Sequence, residues 1–270
     1  MSERDGYEPG APCWVSAVEP DPDAAAEFYT RLFGWEAENL MPDEAEGDYY
    51  VCRLRGREVA AIVSYHGAPA PPAAVWSTHV SVASADAAAE RVRQAGGTVI
   101  GEPFDSPGAG RMAVVADPAG AVLCLWQPQE RKGAQRVNEP SAWSMSLLRT
   151  GDPEGAKCFY RSVFGWESEP FGDMTLWRLP GYAGGEPQQP VPRDVVAVMA
   201  PIGSDEPQAP VWGVDFWIAD ADAAARRTEE LGGSVLVAPH DVPGFRHTVV
   251  ADPRGAAFSL SQLVLAAAAG

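Results

Sequence analysis

Residues 25–36 read AAEFYTRLFGWE and residues 156–167 read AKCFYRSVFGWE, so one pattern occurs twice in this chain of 270 residues. Phe28 and Phe159 mark the repeat, 131 positions apart. Two further blocks recur in the same order. QAGGTV at 94–99 matches ELGGSV at 230–235, and MAVVADPAGAVLCLWQ from residue 112 matches HTVVADPRGAAFSLSQ from residue 247. Three ordered matches indicate the tandem duplication of a domain of about 130 residues.

A weaker repeat lies inside each copy. Asp21 begins the Ala-rich stretch DPDAAAEFY, and Asp86 begins DAAAERVRQ 65 residues later. Asp152 and Asp222 take the same places in the second copy, 70 residues apart. A short apolar run precedes each of them, and an aspartate before an Ala-rich stretch is typical of a helix N-terminus. The sequence therefore predicts four units, each beginning with a strand and then a helix.

Strand signals fill the rest of each unit. Runs such as YYVCRL, EVAAIVSY and AVLCLW are rich in β-branched and aromatic residues, and the turns ADPAG and ADPRG join the last two strands of each copy. The predicted fold class is α+β, with four βαβββ units forming two domains with curved mixed sheets. We expect the first domain at 10–128, a polar linker without periodicity at 129–140, and the second domain at 141–264.

The composition narrows the classes of partner. A formal net charge of −17 opposes binding to a phosphate backbone or an anionic membrane surface, so we expect neither nucleic acid nor membrane as a partner. The chain shows no apolar run of spanning length and no signal-peptide pattern. Its four cysteines form no CxxC pair and no disulfide framework. We therefore expect a cytoplasmic protein with reduced thiols.

The FYxxxFGWE motif after the first helix and the DPxG turn before the last strand resemble those of the vicinal oxygen chelate superfamily. That superfamily includes glyoxalases, extradiol dioxygenases and bleomycin-resistance proteins. The resemblance covers residues 10–128 and 140–264. It implies that each pair of units curls eight strands into a cup that holds the ligand or metal. These motifs indicate the fold closely, whereas the function depends on the residues inside each cup.

In metal-dependent members of that superfamily, four side chains on the first and last strands of the two units hold the metal. The resemblance places these positions at Trp14, near Ala61, His79 and Cys124 in the first copy, and at Met145, near Ala197, Asp215 and Ser259 in the second. Only His79 is a conventional ligand, and only Asp215 suits a hard metal. A catalytic metal usually needs three protein ligands. We therefore predict no metal and no cofactor.

Strand alternation extends these positions to a lining for each cup, and Trp177 is added because it has no tryptophan counterpart in the other copy. Indole rings with a few polar groups suit a flat organic molecule. The predicted ligand-binding residues are Trp14, Ser16, His79, Ser81, Cys124, Trp126, Met145, Arg149, Trp177, Asp215, Trp217 and Ser259. Trp35, Trp76, Trp166 and Trp212 recur in both copies and are expected to be structural. We favour the first cup because His79 is the one histidine expected to face inward; His240 and His247 are expected at the rim of the second.

The favoured function is metal-independent binding of an aromatic or polycyclic metabolite or antibiotic, in antibiotic resistance or biosynthesis. The alternative is a metal-free enzyme, such as a hydroxylase, cyclase or isomerase of secondary metabolism, with His79 as its acid–base residue. A metal-dependent lyase or dioxygenase is less favoured, as is an interaction module with filled cups. We expect a small aromatic molecule as the partner, and a monomer that acts as a pseudo-dimer or a weak homodimer.

Overall fold

A computed structural model describes residues 3–42, 46–64, 74–106, 108–184, 192–203 and 209–264. The first copy contains β1 (Pro12–Glu19), α1 (Pro22–Phe33), β2 (Glu36–Asn39), β3 (Tyr49–Leu54), β4 (Arg57–Ser64), β5 (Val75–Ser81), α2 (Ala85–Gln94), β6 (Thr98–Ser106), β7 (Gly110–Ala116) and β8 (Val122–Pro128). The second contains β9 (Trp143–Thr150), α3 (Pro153–Phe164), β10 (Glu167–Phe171), β11 (Met174–Arg178), β12 (Val195–Pro201), β13 (Val211–Trp217), α4 (Ala221–Glu230), β14 (Ser234–Val242), β15 (Phe245–Ala251) and β16 (Ala257–Leu263).

The first helix of each copy begins and ends on the signals that its sequence carries. The Asp21 side chain accepts a hydrogen bond from the Ala24 backbone N–H and so caps α1. Gly34 ends α1 in the left-handed region with φ 73°, where a Cβ atom would be strained. Asp152 and Gly165 take the same two roles in α3.

The second helix of each copy begins differently from the prediction. Ser84 caps α2 and Asp220 caps α4, each two residues before the predicted aspartate. Asp86 lies in the first turn of α2, where its carboxylate pairs with the Arg111 guanidinium. The carboxylate is thus satisfied by an ion pair across to β7 rather than by the helix backbone.

Each copy forms an eight-stranded mixed sheet of its own. The strand orders are β2-β3-β4-β1-β5-β8-β7-β6 and β10-β11-β12-β9-β13-β16-β15-β14. In the first sheet β1 pairs parallel with β4, and β5 pairs parallel with β8, while β1 and β5 pair antiparallel. The four βαβββ units and the α+β fold class are therefore confirmed, and each sheet is built from two units that are adjacent in sequence.

The repeated motif joins the two copies to one another. The Tyr29 hydroxyl donates to Asp252 in the DPxG turn of the second copy, and it accepts from the indole N–H of Trp76. The equivalent contacts occur in the second copy, where the Tyr160 hydroxyl donates to Asp117 and accepts from the indole N–H of Trp212. Both tyrosines are fully buried. In each copy, the tyrosine of the repeated motif therefore hydrogen-bonds to the aspartate of the DPxG turn in the other copy.

The sheets pack together through the faces that carry the helices. Thr78 on β5 and Ser146 on β9 bring their hydroxyl oxygens to 2.7 Å, and Trp76 lies 5.0 Å from Phe216 between ring centroids. The opposite face of each sheet carries the predicted lining residues other than Trp177, and we call these faces the first cup and the second cup. In the described part of the chain, no helix has the length and apolar character needed to cross a membrane.

Candidate functional site

The first cup brings together the four predicted superfamily positions Trp14, Ala61, His79 and Cys124, which we call the inner row. Trp14 pairs with His79 across β1 and β5, His79 pairs with Cys124 on β8, and Ser16 pairs with Ala61 on β4. The Ser16 hydroxyl lies 2.8 Å from His79 Nε2. His79 Nδ1 is buried without a hydrogen-bond partner. The positions deduced from the sequence therefore share one face of the sheet.

These side chains do not fit a metal ion. Burial lowers the pKa of His79 to about 4 and raises the pKa of the Cys124 thiol to about 12. A neutral thiol is a poor ligand, because the thiolate is the form that binds metals. Trp14 and Ala61 have no atom that can coordinate a metal, and Nε2 of His79 is already hydrogen-bonded to Ser16. Within the described residues, no group of three or more His, Cys, Asp or Glu side chains is placed to hold a metal.

The segment after β8 closes the first cup. It forms hydrogen bonds with two adjacent strands. The Ala134 N–H donates to the Cys13 carbonyl on β1, and the Gln135 N–H donates to the Glu58 carbonyl on β4. Gly133 makes this approach possible, since a Cβ there would lie 2.5 Å from the Cys13 carbonyl oxygen. The stretch expected to be a free linker is therefore part of the first domain's packing.

Arg131 is the side chain that this segment inserts. Its Nε donates to Glu58 at 3.0 Å and its Nη1 donates to the Tyr49 hydroxyl at 2.9 Å. Its guanidinium carbon lies 5.2 Å from the Tyr49 ring centroid and 6.0 Å from that of Trp14. The Arg131 carbonyl also accepts the Trp126 indole N–H. Arg131 thus forms a lid over the inner row.

All six residues predicted for the first cup are at most 6% exposed, and two of them, Trp14 and Trp126, contact Arg131 directly. The six are Trp14, Ser16, His79, Ser81, Cys124 and Trp126. Gly110 on β7 is part of this packing, because a Cβ there would lie 2.7 Å from the Trp126 ring. The structure therefore brings the six together as predicted, but it fills the space between them with protein.

A groove of about 720 Å³ lies above the lid. Its lining includes Leu40, Tyr49, Glu58, Arg131 and Gln135, together with the turn between β6 and β7. We call this space the mouth groove. Its volume falls within the range of about 300–1,000 Å³ that is usual for small-molecule sites.

The described residues of the second cup form a polar network around Asp215. Asp215 sits opposite Met145 on β9 and opposite Ser259 on β16. Its carboxylate accepts hydrogen bonds from Ser144 at 2.8 Å and from Ser261 at 2.7 Å. Burial raises the pKa of Asp215 to about 6, and the two serine hydroxyls oppose that rise. Residues from 265 onward, which follow β16, lie outside the described residues.

His247 belongs to this network, although the sequence placed it at the rim. Its Nδ1 lies 3.1 Å from the Ser261 hydroxyl and 3.9 Å from Asp215 Oδ1. It pairs with Ser261 across β15 and β16, and Ser261 pairs with Trp217. Because paired residues share a face, the pairing of His247 with Ser261 places His247 on the cup face. An alignment of β15 with β16 in the sequence would have indicated this position.

Trp177 does not line the second cup. Its strand position pairs with Ala197, and both side chains face the helix side of the sheet. There the fully buried indole packs against Tyr160, Trp166 and Trp212. Val198, not Ala197, pairs with Leu147 on the cup face. The sequence count was one residue off on β12, and one residue moves a strand's side chains to the opposite face.

Of the other second-cup predictions, Met145, Ser259 and Arg149 are partly buried and Trp217 is buried. Arg149 pairs with Val211 at the far end of β9, away from Asp215. Trp217 lies 6.2 Å from Phe245 between ring centroids, so the network has an aromatic wall. Only part of the predicted set therefore surrounds the carboxylate.

Comparison with known proteins agrees with this architecture. Residues 14–125 match the family model described as the glyoxalase/bleomycin resistance protein/dioxygenase superfamily, and residues 145–261 match a glyoxalase-like domain. The chain is 35% identical to the anthracycline biosynthesis proteins DauV of Streptomyces sp. strain C5 and DnrV of Streptomyces peucetius. In each case the match covers 95% of this chain and 94% of the relative.

Solved structures share the fold at low sequence identity. The Mn(II)-bound glyoxalase from Novosphingobium aromaticivorans has a TM-score of 0.62 at 18% identity, covering 94% of this chain and 82% of its own. The 2,2',3-trihydroxybiphenyl 1,2-dioxygenase from Sphingomonas wittichii strain RW1 has a TM-score of 0.58 at 15% identity, covering 96% and 92%. By its two matched domains, the chain belongs to the glyoxalase/bleomycin resistance protein/dioxygenase superfamily.

Proposed function

We propose that the chain binds a flat aromatic or polycyclic small molecule without a metal, in the mouth groove of the first cup. The observation that carries this proposal is the groove of about 720 Å³ floored by Tyr49 and Arg131. The Arg131 guanidinium is fixed in place by its hydrogen bonds to the Glu58 carboxylate and the Tyr49 hydroxyl, so it offers a flat, cationic surface to a ring above it.

The chemistry of the inner row supports a ligand held by contact. The four superfamily positions carry an indole, a methyl group, a neutral imidazole and a neutral thiol. Two relatives named for anthracycline biosynthesis cover nearly the whole chain, and anthracyclines are polycyclic aromatic molecules. A hydroxylated anthraquinone is therefore a reasonable probe for this groove.

The binding site differs from the one that the sequence suggested. The ligand would rest on the outer side of the Arg131 lid rather than against the buried indoles. The enzyme hypothesis based on His79 loses its support here, because that imidazole is 5% exposed and uncharged beneath the lid. A buried base with a pKa of about 4 is also poorly matched to proton transfer near neutral pH.

Titration of tryptophan fluorescence with 1,8-dihydroxyanthraquinone tests the proposal. We expect saturable quenching in the wild-type protein, and an affinity roughly tenfold lower for Arg131→Ala because the cationic floor is lost. Arg31→Ala, an exposed arginine on α1, is the matched control and should bind as the wild type does. Absence of saturable quenching, or equal binding by Arg131→Ala, would contradict the proposal.

A further inference from the structure

The joint between the two copies contains a buried carboxyl group on one side that the repeat does not carry on the other. Glu19 ends β1 and is 1% exposed. Because side chains alternate along a strand, it shares the helix-bearing face with Ala17, which pairs with Trp76. Thr150 takes the equivalent place at the end of β9, where its hydroxyl accepts a hydrogen bond from the Asp152 N–H. Glu19 therefore adds an acid to one half of a joint that is otherwise repeated.

The Glu19 carboxyl has no hydrogen-bond donor among the described residues. Both of its oxygens are buried, and neither receives a hydrogen bond from an N–H or a hydroxyl group. The polar group within hydrogen-bonding range is the carboxyl of Asp252, in the DPxG turn of the other copy. Ionised carboxylates only accept hydrogen bonds, so these two groups can bond only while one of them carries a proton.

The hydrogen bonds of Asp252 show which of the two groups carries that proton. Its Oδ2 accepts from the Tyr29 hydroxyl at 3.0 Å, and its Oδ1 accepts from the backbone N–H groups of Arg254 and Ala256, both at 2.9 Å. Three donors thus point at Asp252, as an ionised carboxylate requires, whereas none of the described groups points at Glu19. The proton is therefore on Glu19, and its O–H group donates to Asp252.

The charged and titratable groups that act on Glu19 come from the turn between β15 and β16 and from α1 with its cap. The turn contributes Asp252 and Arg254, and the helix contributes Asp21 and Tyr29. Arg254 forms an ion pair with Asp21 across the two copies at 2.9 Å, so its positive charge is shared. Burial, and then the hydrogen bond to Asp252, raise the pKa of Glu19 to about 9, and Arg254 opposes that rise.

We propose that Glu19 and Asp252 form a proton-dependent contact between the two copies, which is closed while the pair shares one proton and loosens when that proton is lost. In that step the Glu19 O–H bond breaks, its electron pair stays on the carboxylate and the proton passes to solvent. Two ionised carboxylates then repel each other inside a buried joint. The loosened part is the chain of hydrogen bonds from Asp252 through Tyr29 to the Trp76 indole. This contact is independent of the mouth groove.

The indole N–H signals of the two joint tryptophans test the contact within one molecule. Trp76 donates to Tyr29 in the half that contains Glu19, whereas Trp212 donates to Tyr160 in the half that contains Thr150. In nitrogen-15 NMR we expect the Trp76 signal to shift with a midpoint near pH 9, and the Trp212 signal to stay in place.

The phenol of Tyr29 does not confuse this titration, because burial raises its pKa well above 10.0. A Trp76 signal that does not move across this range, or one that moves together with the Trp212 signal, would overturn the proposal. This comparison uses the wild-type protein and so does not depend on the folding of any variant.

Glu19→Gln and Glu19→Thr test whether Glu19 is the group that titrates. The amide of Glu19→Gln can donate to Asp252 at every pH, and Glu19→Thr copies the side chain that the other half has. In both variants the Trp76 signal should lose its midpoint near pH 9. Glu27→Gln, at an exposed position on α1, is the matched control and should keep it. A midpoint that survives in both Glu19 variants would contradict the proposal.

Urea denaturation measures the same contact as stability. The pKa of Glu19 is raised in the folded protein, so its contribution is fully present below the ordinary value of 4.5 and is lost as the pH rises through 9. Between these two values we expect the urea midpoint of the wild type, relative to that of Glu19→Gln, to fall steadily. Glu27→Gln should follow the wild type. A constant difference between wild type and Glu19→Gln would contradict the proposal.

Discussion

His79 and Asp215 occupy the same place in the two copies, and burial holds both toward their uncharged forms. It lowers the pKa of His79 to about 4 and raises the pKa of Asp215 to about 6. The imidazole has one hydroxyl partner, whereas the carboxylate has two and a histidine nearby. The sequence placed Ser16 in the same cup as His79, but it did not show which groups hydrogen-bond to His79 or Asp215, because hydrogen bonds between strands depend on register and not on residue type alone.

The uncharged state of His79 has a consequence for stability. Burial lowers the pKa of His79 to about 4 in the folded protein, against 6.5 for an ordinary histidine, so protons bind more strongly to the unfolded chain. The stability from this group is present above pH 6.5 and is lost as the pH falls toward 4. Over that window we expect wild type to lose about 3 kcal/mol more than His79→Gln. Urea denaturation of both proteins at a series of pH values measures this difference, and parallel curves would contradict it.

Among the elements, the structure differs from the predictions in three places: the N-termini of α2 and α4, the side chains of β11 and β12 that face the cup, and the segment after β8. Trp177 on β11 was chosen because it has no tryptophan counterpart in the other copy, but its side chain lies in the aromatic core, and on β12 it is Val198 rather than Ala197 that faces the cup. The segment after β8 has no periodicity, so nothing in its pattern showed that Arg131 would enter the cup. The helices and the order of strands were predictable, because caps, glycines and alternation are local signals.

Close packing of β7 against Trp126 provides a test at this scale. A Cβ at position 110 would lie 2.6 Å from the Gln127 carbonyl oxygen and 2.7 Å from the Trp126 ring, and both groups are fixed by other bonds. We expect Gly110→Ala to lower the free energy of unfolding by about 1–3 kcal/mol.

Gly101 on the neighbouring strand is the matched control. A Cβ there would meet Val114 at 3.4 Å, which is ordinary contact. Gly101→Ala should therefore change the free energy of unfolding by less than about 1 kcal/mol. Chemical denaturation of both variants gives the comparison, and equal stability of the two would show that the Trp126 packing is not as tight as described.

At the scale of the whole molecule, the duplicated motif is the joint between the two domains. Tyr29 and Tyr160 each connect a buried indole N–H of their own copy to an aspartate of the other copy. The sequence predicted a structural role for the four recurring tryptophans, and all four are buried. It did not place them between domains, because a repeat shows what is shared but not what it contacts.

Removal of the two tyrosine hydroxyls should weaken the whole chain. Tyr29→Phe leaves the Trp76 N–H and an Asp252 oxygen without this partner, and Tyr160→Phe does the same to Trp212 and Asp117. We expect each variant to lose about 1–3 kcal/mol of unfolding free energy, with a nearly additive loss in the double variant. Chemical denaturation measures these losses. Tyr50→Phe, whose hydroxyl contacts Asp23 at the surface, is the control and should lose less than either.

Isothermal titration with 1,8-dihydroxyanthraquinone before and after dialysis against a chelator tests whether the mouth groove binds its ligand without a metal, as proposed. The proposed site predicts one binding constant in both preparations, with no stoichiometric divalent metal by elemental analysis. Binding that disappears with the chelator and returns with a divalent ion would contradict it.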